Sequence, residues 1–488
     1  MKNQFYLILI VLSIGVSCTS ENKANNLTKN HLKTENNKAA KIDTLIRSYQ
    51  KNKGFSGSVL VAENGKIIYS AGVGMANKEL GVPNKPNTKH RIGSLTKQFT
   101  AMLILKLVEE NKIKLDATIN QYIPDYPREG DDKITIHHLL THSSGIPRFR
   151  LEKYRDPYTP DELLALWSTS GLDFEPGTQF TYSNPGYFLL GVIIERVTKK
   201  PYEQVLHEYI LNPLGMKNSG YDRHKTLLQN RSSGYAKQGT GYENAGYTDM
   251  TVSYAAGAMY STVEDMFLWD QALYSDKIIS SKYRDMLFKS YIPALGRFYG
   301  YGWFNSIYPI GSSKDSINVV EHSGGIQGYS ARITRIPANK HLVVILSNVQ
   351  GTATRSPTFA INGILYDKPY EHPKKSFSDA LSDIITQKDI QEGIAFFMEH
   401  KGSEEFDIKE REINSLAYHF IELEKLDIAF EVFRMNTQLF PESSNAYDSL
   451  GEVYVSLGKK DKAIESYKKS ILLNPKNRNG IKMLKDLE

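Results

Sequence analysis

The chain has 488 residues, 40% of them hydrophobic and 23% charged, which is ordinary globular composition with room for roughly two to four domains. Its net charge of +6 is too small for this length to indicate a nucleic-acid partner. A single cysteine, Cys18, excludes a disulfide framework, a cysteine-rich zinc site and an iron–sulfur cluster within the chain.

Residues 1–18 have the pattern of a lipoprotein signal peptide. Lys2 precedes a short apolar run, which ends in small residues before Cys18. This end resembles a bacterial lipobox, although Gly15 stands where Leu is usual. The polar, Asn- and Lys-rich residues 19–40 are predicted to be a tether. We therefore expect an exported protein, lipid-anchored through Cys18 to a bacterial membrane and facing the periplasm or the outside.

The middle of the chain, residues 41–370, predicts an α+β domain. Strands are predicted at 55–62, 66–73, 318–322, 329–336 and 341–348, with a hairpin turn at Asn64 and Gly65. Helices are predicted at 94–111, 136–140, 160–167, 187–198, 203–211 and 263–273. Strands at both ends with helices between them indicate an antiparallel sheet whose edges come from distant segments.

Residues 376–488 predict an all-α domain with a repeat of 34 residues. Ala395, Ala429 and Ala463 follow this spacing, as do the aromatic residues Phe433 and Tyr467. The pattern resembles the tetratricopeptide repeat, with a clear last copy and a degenerate copy around Ala395. Such repeats usually bind peptides or pack on a neighbouring domain, so a peptide or protein partner is expected for this region.

Ser94 and Lys97 form an S-x-x-K motif at the start of a long apolar helix. On a helix the two side chains are one turn apart and face the same way. The helix N-terminus adds positive potential, and a lysine held there can lose its proton near neutral pH. Lys97 could then take the proton of Ser94, which would turn a weak nucleophile into a strong one.

Two further motifs follow in the chain. Tyr182 and Asn184 form a Y-x-N motif in a predicted tight turn before an apolar helix. His322 opens an H-S-G-G sequence, containing Gly324 and Gly325, at the end of a predicted strand. The order of the three motifs along the chain is therefore S-x-x-K, Y-x-N, H-S-G.

That order resembles the penicillin-binding-protein and class C β-lactamase superfamily of serine hydrolases. The resemblance covers roughly residues 41–370 and includes the flanking stretches 139–147, 174–187 and 257–265. It implies an antiparallel sheet flanked by helices, a helical subdomain, and hydrolysis through an acyl-enzyme on a small-molecule or peptide substrate. We expect no cofactor and no metal. His138 and His142 have helical spacing, but Leu139 stands where a metalloprotease motif would have Glu, so the two histidines are expected to cap or pack.

The resemblance also implies a role for each motif residue. Ser94 is the acylated nucleophile, Lys97 is a base or the partner that lowers the tyrosine pKa, and Tyr182 is the general base. Asn184 would donate to the substrate amide or orient Lys97. The backbone N–H groups of Ser94 and Gly325 would form the oxyanion hole.

His322, expected with Gly324 and Gly325 to line the substrate, departs from the Lys that most β-lactamases and transpeptidases have there. Since His is mostly neutral at pH 7, we expect weak carboxylate binding that improves as imidazolium forms towards pH 6. Three functions stay open. The first is an esterase-like or D-aminopeptidase-like hydrolase, the second a β-lactamase or D,D-carboxypeptidase, and the third a repeat-based interaction protein whose hydrolase domain is weakly active.

Overall fold

The computed structural model describes residues 37–124, 126, 131–148, 155–167, 171–238 and 241–488. The predicted signal peptide, Cys18 and most of the predicted tether lie outside these residues. A first helix, α1, spans 37–53, so the fold begins inside the stretch assigned to the tether. Lys38 is the reason, because its Nζ donates to the carbonyl of Leu365 at 2.7 Å and to Glu63 at 2.8 Å. These bonds attach the first turn of α1 to the folded domain.

The strands, in chain order, are β1 (Gly57–Glu63), β2 (Lys66–Val73), β3 (Met75–Asn77), β4 (Val82–Pro83), β5 (His90–Arg91), β6 (Gly220–Tyr221), β7 (Tyr235–Gln238), β8 (Gly241–Asn244), β9 (Met259–Ser261), β10 (Ile292–Ala294), β11 (Arg297–Tyr299), β12 (Phe304–Pro309), β13 (Ser316–Ile326), β14 (Tyr329–Ile336), β15 (His341–Ser347), β16 (Lys375–Ser376) and β17 (Phe406–Asp407).

The α-helices after α1 are α2 (Thr96–Glu109), α3 (Ile136–Leu140), α4 (Pro160–Trp167), α5 (Asn184–Thr198), α6 (Tyr202–Leu206), α7 (Asn212–Leu214), α8 (Tyr254–Gly257), α9 (Val263–Ala272), α10 (Ser281–Arg284), α11 (Arg355–Leu365), α12 (Phe377–Gln387), α13 (Ile390–His400), α14 (Glu410–Glu422), α15 (Leu426–Leu439), α16 (Ser444–Ser456), α17 (Lys460–Leu473) and α18 (Arg478–Leu487). Short 3₁₀ turns include Gly93–Leu95, and a π-helical turn at His207–Leu211 continues α6.

The main sheet has eight antiparallel strands in the order β10-β11-β12-β13-β14-β15-β1-β2. Strand β1 pairs with β15, with Gly57 opposite Ser347, so strands from both ends of the domain meet in the sheet. The turn at Asn64 and Gly65 joins β1 to β2, as predicted. The α+β architecture predicted from strands at both ends is therefore confirmed.

The sheet has a hydrophobic core on each face. In β1, Leu60 and Ala62 belong to the large cluster that also contains α2 and α5, whereas Val59 and Val61 belong to a smaller cluster with α1 and α11. This alternation follows from the two-residue period of a strand. Strand β1 is therefore apolar from Val59 to Ala62, because both of its faces pack into a core. Helix α2, which carries the S-x-x-K lysine, is thereby held against the sheet.

The C-terminal domain consists of α12–α18, with a small parallel pair of strands, β16 and β17. Ala429, Ala463 and Tyr467 are fully buried, as the repeat pattern predicts. A Cβ on Gly451 would lie 2.9 Å from the ring of Tyr467, so a small residue is needed there. Ala395, in the copy described as degenerate, is exposed instead. That first copy is too degenerate to keep the repeat register.

A cleft of about 1200 Å³ lies between the two domains. Ion pairs cross from one domain to the other beside it, between Lys53 and Asp407 at 2.5 Å and between Lys237 and Asp379. The S-x-x-K, Y-x-N and H-S-G residues do not line this cleft. The hydrophobic core of the C-terminal domain is also separate from the cores around the sheet.

Candidate active site

Ser94 lies on a 3₁₀ turn, Gly93–Leu95, immediately before α2. The sequence predicts one continuous helix from Ser94, whereas the α-helix begins at Thr96. Gly93 has φ +51, and a Cβ on it would lie 3.0 Å from the backbone N and O of Gly325. The turn therefore packs directly on the end of β13, and only glycine satisfies both the positive φ and the close approach.

The amine of Lys97 joins three groups from different elements. Its Nζ lies 3.1 Å from Ser94 Oγ, 2.9 Å from Asn184 Oδ1 and 2.7 Å from the carbonyl of Ala256. The Lys97 side chain is fully buried, and the loss of hydration lowers its pKa to about 7. Near neutral pH a large fraction of Lys97 is therefore uncharged.

An uncharged amine has two N–H groups and one lone pair. The amide oxygen of Asn184 and the carbonyl oxygen of Ala256 can only accept, so they take the two N–H groups of Lys97. The lone pair then faces the hydroxyl of Ser94, which can donate to it. The bonding of Lys97 thus favours removal of the Ser94 proton.

The hydroxyl of Tyr182 is buried beside the same pair. The Lys97 amine lies 4.9 Å from the centre of the Tyr182 ring. Burial raises the pKa of Tyr182, and an interaction with the Ser94 hydroxyl opposes this only in part. Tyr182 is therefore protonated at neutral pH in the resting site, and its role as the general base stays a prediction.

Asn184 is the first residue of α5, and Ser183 caps this helix by accepting from the backbone N–H of Gly186 at 3.4 Å. The cap ends the extended segment that carries Tyr182 and turns the chain into the helix. Tyr182 and Asn184 consequently lie on the same side of the turn as Lys97. The structure brings together all four of the predicted residues from the first two motifs.

His322 is buried near the end of β13. Its Nδ1 donates to the carbonyl of Ser323 at 2.7 Å, and its Nε2 accepts from the hydroxyl of Tyr299 at 3.2 Å. Burial, with a smaller effect of the positive charge of Lys97, lowers the pKa of His322 to about 3. The expectation that imidazolium forms near pH 6 was therefore wrong. Both ring nitrogens are bonded in the neutral tautomer, which is also the form that burial favours.

Gly324 and Gly325 differ in the space that is available for a side chain. A Cβ on Gly324 would lie 2.0 Å from the carbonyl oxygen of Ile92, so this position has no room for a side chain. A Cβ on Gly325 would meet no atom of the described residues within 4 Å. Gly324 therefore seats the strand against the segment before Ser94, while Gly325 borders open space next to the Ser94 turn.

Three residues around the site carry no motif and were missed as functional candidates. His142 packs on Tyr182 with ring centroids 4.2 Å apart, and Tyr299 bonds to His322. The exposed Arg148 donates from Nε to the carbonyl of Tyr182 at 3.1 Å. Tyr299 and Arg148 belong to no pattern in the sequence, and the spacing of His142 from His138 does not point to Tyr182, so only the tertiary contacts identify these three residues.

In the part of the chain that the structure describes, no cluster of side chains could hold a metal ion. His138, one of the two histidines with helical spacing, instead caps α3 by accepting from the N–H of Thr135 at 3.2 Å. Within the same described residues, each helix is too short or too polar to cross a bilayer.

Comparisons with known proteins show what this chain is similar to. The β-lactamase family model matches residues 42–362, and a tetratricopeptide-repeat model matches residues 444–477. A penicillin-binding protein of Bacillus subtilis is 29% identical over 367 residues, 70% of this chain and 78% of the relative. A teichoic acid D-alanine hydrolase of Staphylococcus aureus is 29% identical over 331 residues, 67% of this chain and 78% of the relative.

Among solved structures, an octameric penicillin-binding protein homologue from Pyrococcus abyssi aligns with a TM-score of 0.61 and 29% identity. The alignment covers 72% of this chain and 81% of the homologue. The family model spans most of the α+β domain and all three motifs. The chain is therefore a serine hydrolase of the β-lactamase family with C-terminal tetratricopeptide repeats.

Proposed function

We propose that this protein is an exported, lipid-anchored hydrolase that cleaves an ester, an amide or a small peptide through an acyl-enzyme on Ser94. The observation that carries the proposal is the bonding of Lys97. Its two N–H groups are committed to Asn184 and Ala256, its lone pair faces Ser94, and its own side chain is fully buried. This is the arrangement that a proton acceptor for a serine nucleophile requires.

The acylation step follows from these positions. Ser94 Oγ attacks the carbonyl carbon of the substrate while its proton moves to the neutral amine of Lys97. The oxygen of the tetrahedral intermediate accepts from the backbone N–H groups of Ser94 and Gly325. The close packing of Gly93 on Gly325 supports this pairing, because it holds the two segments side by side.

Tyr182 then serves the leaving group. When the intermediate collapses, the alcohol or amine leaves with the proton of the Tyr182 hydroxyl, and protonated Lys97 returns a proton to the phenolate. Tyr182 can take this donor role because its hydroxyl starts out protonated, and the proton on Lys97 is available to neutralise the phenolate. Water next attacks the acyl carbon and gives a proton to the same pair, and Ser94 leaves with a proton restored to its oxygen.

The electrostatics of the site favour a substrate that is uncharged, or an anionic substrate that binds only weakly. His322 is neutral and its two nitrogens are bonded, so it supplies no charge for a substrate carboxylate. Arg148 is the exposed cation that bonds to the Tyr182 carbonyl at the border of the site. Arg148 could attract a substrate anion from this position, at longer range than a lysine in place of His322 would.

A substrate panel tests this proposal. The panel contains nitrophenyl esters, a D-alanyl ester, D-amino-acid amides and a chromogenic cephalosporin; the D-alanyl ester is included because one relative is named a teichoic acid D-alanine hydrolase. We expect turnover of the esters or amides, and a fluorophosphonate adduct on Ser94 that is lost in Ser94→Ala. An adduct on another serine would overturn the assignment.

The other two functions give different results in the same panel. Cephalosporin turnover at least as fast as ester turnover would favour a β-lactamase or D,D-carboxypeptidase. If no substrate is turned over and no adduct forms on Ser94, the result would favour an interaction protein. In that case the repeats at 376–488 carry the function and the hydrolase domain only binds.

The lipid anchor is a separate part of the proposal. It is supported by the position of Cys18, the single cysteine, at the end of the N-terminal apolar run. Detergent phase partitioning of the wild type and Cys18→Ala tests it. We expect the wild type in the detergent phase and the variant in the aqueous phase. Equal aqueous partitioning would show that no lipid is attached.

A further inference from the structure

We propose that His142 is a positioning residue for the Tyr182–Asn184 turn, and that it acts on catalysis without touching the substrate. The inference rests on the proposed function, because it assigns a task to the turn that carries Tyr182. His142 belongs to none of the three motifs, and the acyl-transfer steps do not use it. Its contacts nevertheless lie on either side of Tyr182 in the chain.

The backbone on both sides of Tyr182 is held by His142. The carbonyl oxygen of His142 accepts from the N–H of Thr181 at 2.9 Å. Its ring Nδ1 accepts from the N–H of Ser183 at 3.1 Å. The peptide groups before Thr181 and after Tyr182 thus both bond to one residue, which restricts the backbone dihedral angles of Thr181 and Tyr182 between them.

The side chain of Tyr182 is held as well. The His142 and Tyr182 rings lie 4.2 Å apart at their centroids with a tilt of 37°. On its other sides the His142 ring contacts Tyr187 at 5.0 Å and Tyr299 at 4.9 Å. His142 is therefore held by packing of its own, and it can transmit that rigidity to the phenol ring.

The hydrogen bonding requires the neutral form of His142. Since Nδ1 accepts, the proton of the neutral ring is on Nε2, which is buried with no hydrogen-bond partner among the described residues. Burial lowers the pKa of His142 well below 6.5, and the positive charge of Lys97 acts in the same direction. The acceptor on Nδ1 is consequently present whenever Lys97 is able to act as a base.

The backbone conformation of His142 narrows the choice of residue. Its φ is +58, a left-handed conformation that Asn, Asp and His adopt more readily than other non-glycine residues. The position also needs a hydrogen-bond acceptor near the backbone and a flat ring against Tyr182. Histidine provides all three properties. Asparagine keeps the acceptor and tolerates the conformation, whereas phenylalanine keeps the ring alone.

The test compares His142→Asn, His142→Phe and His142→Ala. Hydrolysis of 4-nitrophenyl acetate gives kcat and KM, and the rate of fluorophosphonate labelling reports acylation of Ser94. We expect kcat to fall by about 10- to 100-fold in the Phe and Ala variants with KM within threefold, since a displacement of about 1 Å can cost two orders of magnitude. His142→Asn should recover most of this loss.

A matched control separates positioning from stability. His341 is also buried, its Nδ1 accepts from the N–H of Asn64 at 3.1 Å, and its ring lies 5.3 Å from that of Tyr366. It begins β15, at the other end of that strand from Ser347. The same three substitutions at His341 should lower the melting temperature without changing kcat per folded molecule.

Three results would overturn the proposal. One is kcat within twofold of the wild type in all three His142 variants. Another is a loss of kcat in the His142 variants that is no larger than the loss in His341 variants with the same melting temperature. The third is a kcat of His142→Asn that is no higher than that of His142→Phe. A wild type that neither hydrolyses the ester nor labels at Ser94 would instead overturn the proposed function, and the role of His142 with it.

Discussion

Lys97 Nζ lies 3.1 Å from Ser94 Oγ, and the lysine side chain that reaches it is fully buried. The bond joins two residues one helical turn apart, across the junction of a 3₁₀ turn and α2. Burial of the amine lowers its pKa to about 7. A side chain that is a cation on most protein surfaces becomes a base at neutral pH for this reason.

The pKa of Lys97 predicts the pH dependence of hydrolysis. Lys97 accepts the Ser94 proton only when uncharged, so kcat/KM for a neutral ester should fall about tenfold per pH unit below 7 and level off above it. Initial rates from pH 5.5 to 9 measure this. Lys97→Met should lose most activity and show no such step. A wild-type profile that is flat from pH 5.5 to 8 would exclude Lys97 as the base.

Gly324 and Gly325 offer a matched pair of substitutions. Gly324→Ala places a Cβ against the backbone carbonyl of Ile92, so it should lower the melting temperature and the yield of folded protein. Gly325→Ala meets no described atom, so the fold should be retained while kcat/KM falls for bulky acyl groups. Thermal melts and an ester series of increasing acyl size check both. Equal melting temperatures of the two variants would contradict the packing.

His322 should not titrate in the working range. Because its pKa is about 3, the ratio of kcat/KM for an anionic ester to that for a neutral ester should be constant between pH 5.5 and 8. His322→Lys adds a charge that a carboxylate can bond, so cephalosporin turnover relative to ester turnover should rise roughly tenfold. A wild-type ratio that increases below pH 6.5 would show that the imidazole is protonated after all.

Arg148 should matter for anionic substrates alone. Its guanidinium is exposed next to the Tyr182 carbonyl, where solvent screens its charge. Arg148→Gln should raise KM for an anionic ester by roughly fivefold and leave a neutral ester nearly unchanged. Arg411→Gln, an exposed residue of the C-terminal domain, removes the same charge far along the chain and should change neither. Equal effects of both variants would point to net charge rather than to a local contact.

The hydrolase domain should work without the repeats. Its cores are separate from that of α12–α18, and the catalytic residues do not line the cleft between the domains. Truncation after Lys374 should keep kcat/KM within about twofold. The melting temperature should fall, because the Lys53–Asp407 ion pair is removed. A folded but inactive truncation would mean that the repeats complete the site.

Several features of the fold and the site were predictable from local patterns. The hairpin at Asn64 has turn residues between two apolar strands, and the helices α3 and α4 have the predicted bounds. The order of the motifs identified Ser94, Lys97 and Tyr182 as one site, and the structure places them together. The degenerate copy around Ala395 leaves that side chain exposed, whereas Ala429 and Ala463 are buried.

By itself, the sequence determined the architecture, the family and the residues that meet around Ser94, because periodicity and motif spacing are local properties of the chain. Only the tertiary structure decided which of these residues carry charge. Segments far away in sequence bury Lys97, His322 and the hydroxyl of Tyr182, and burial shifts the pKa of each group in the direction that favours its neutral form. Desolvation depends on what covers a side chain, and no local pattern records that. The contacts of His142 with the Tyr182 turn are likewise made across 40 residues of chain, so the fold alone brings them together.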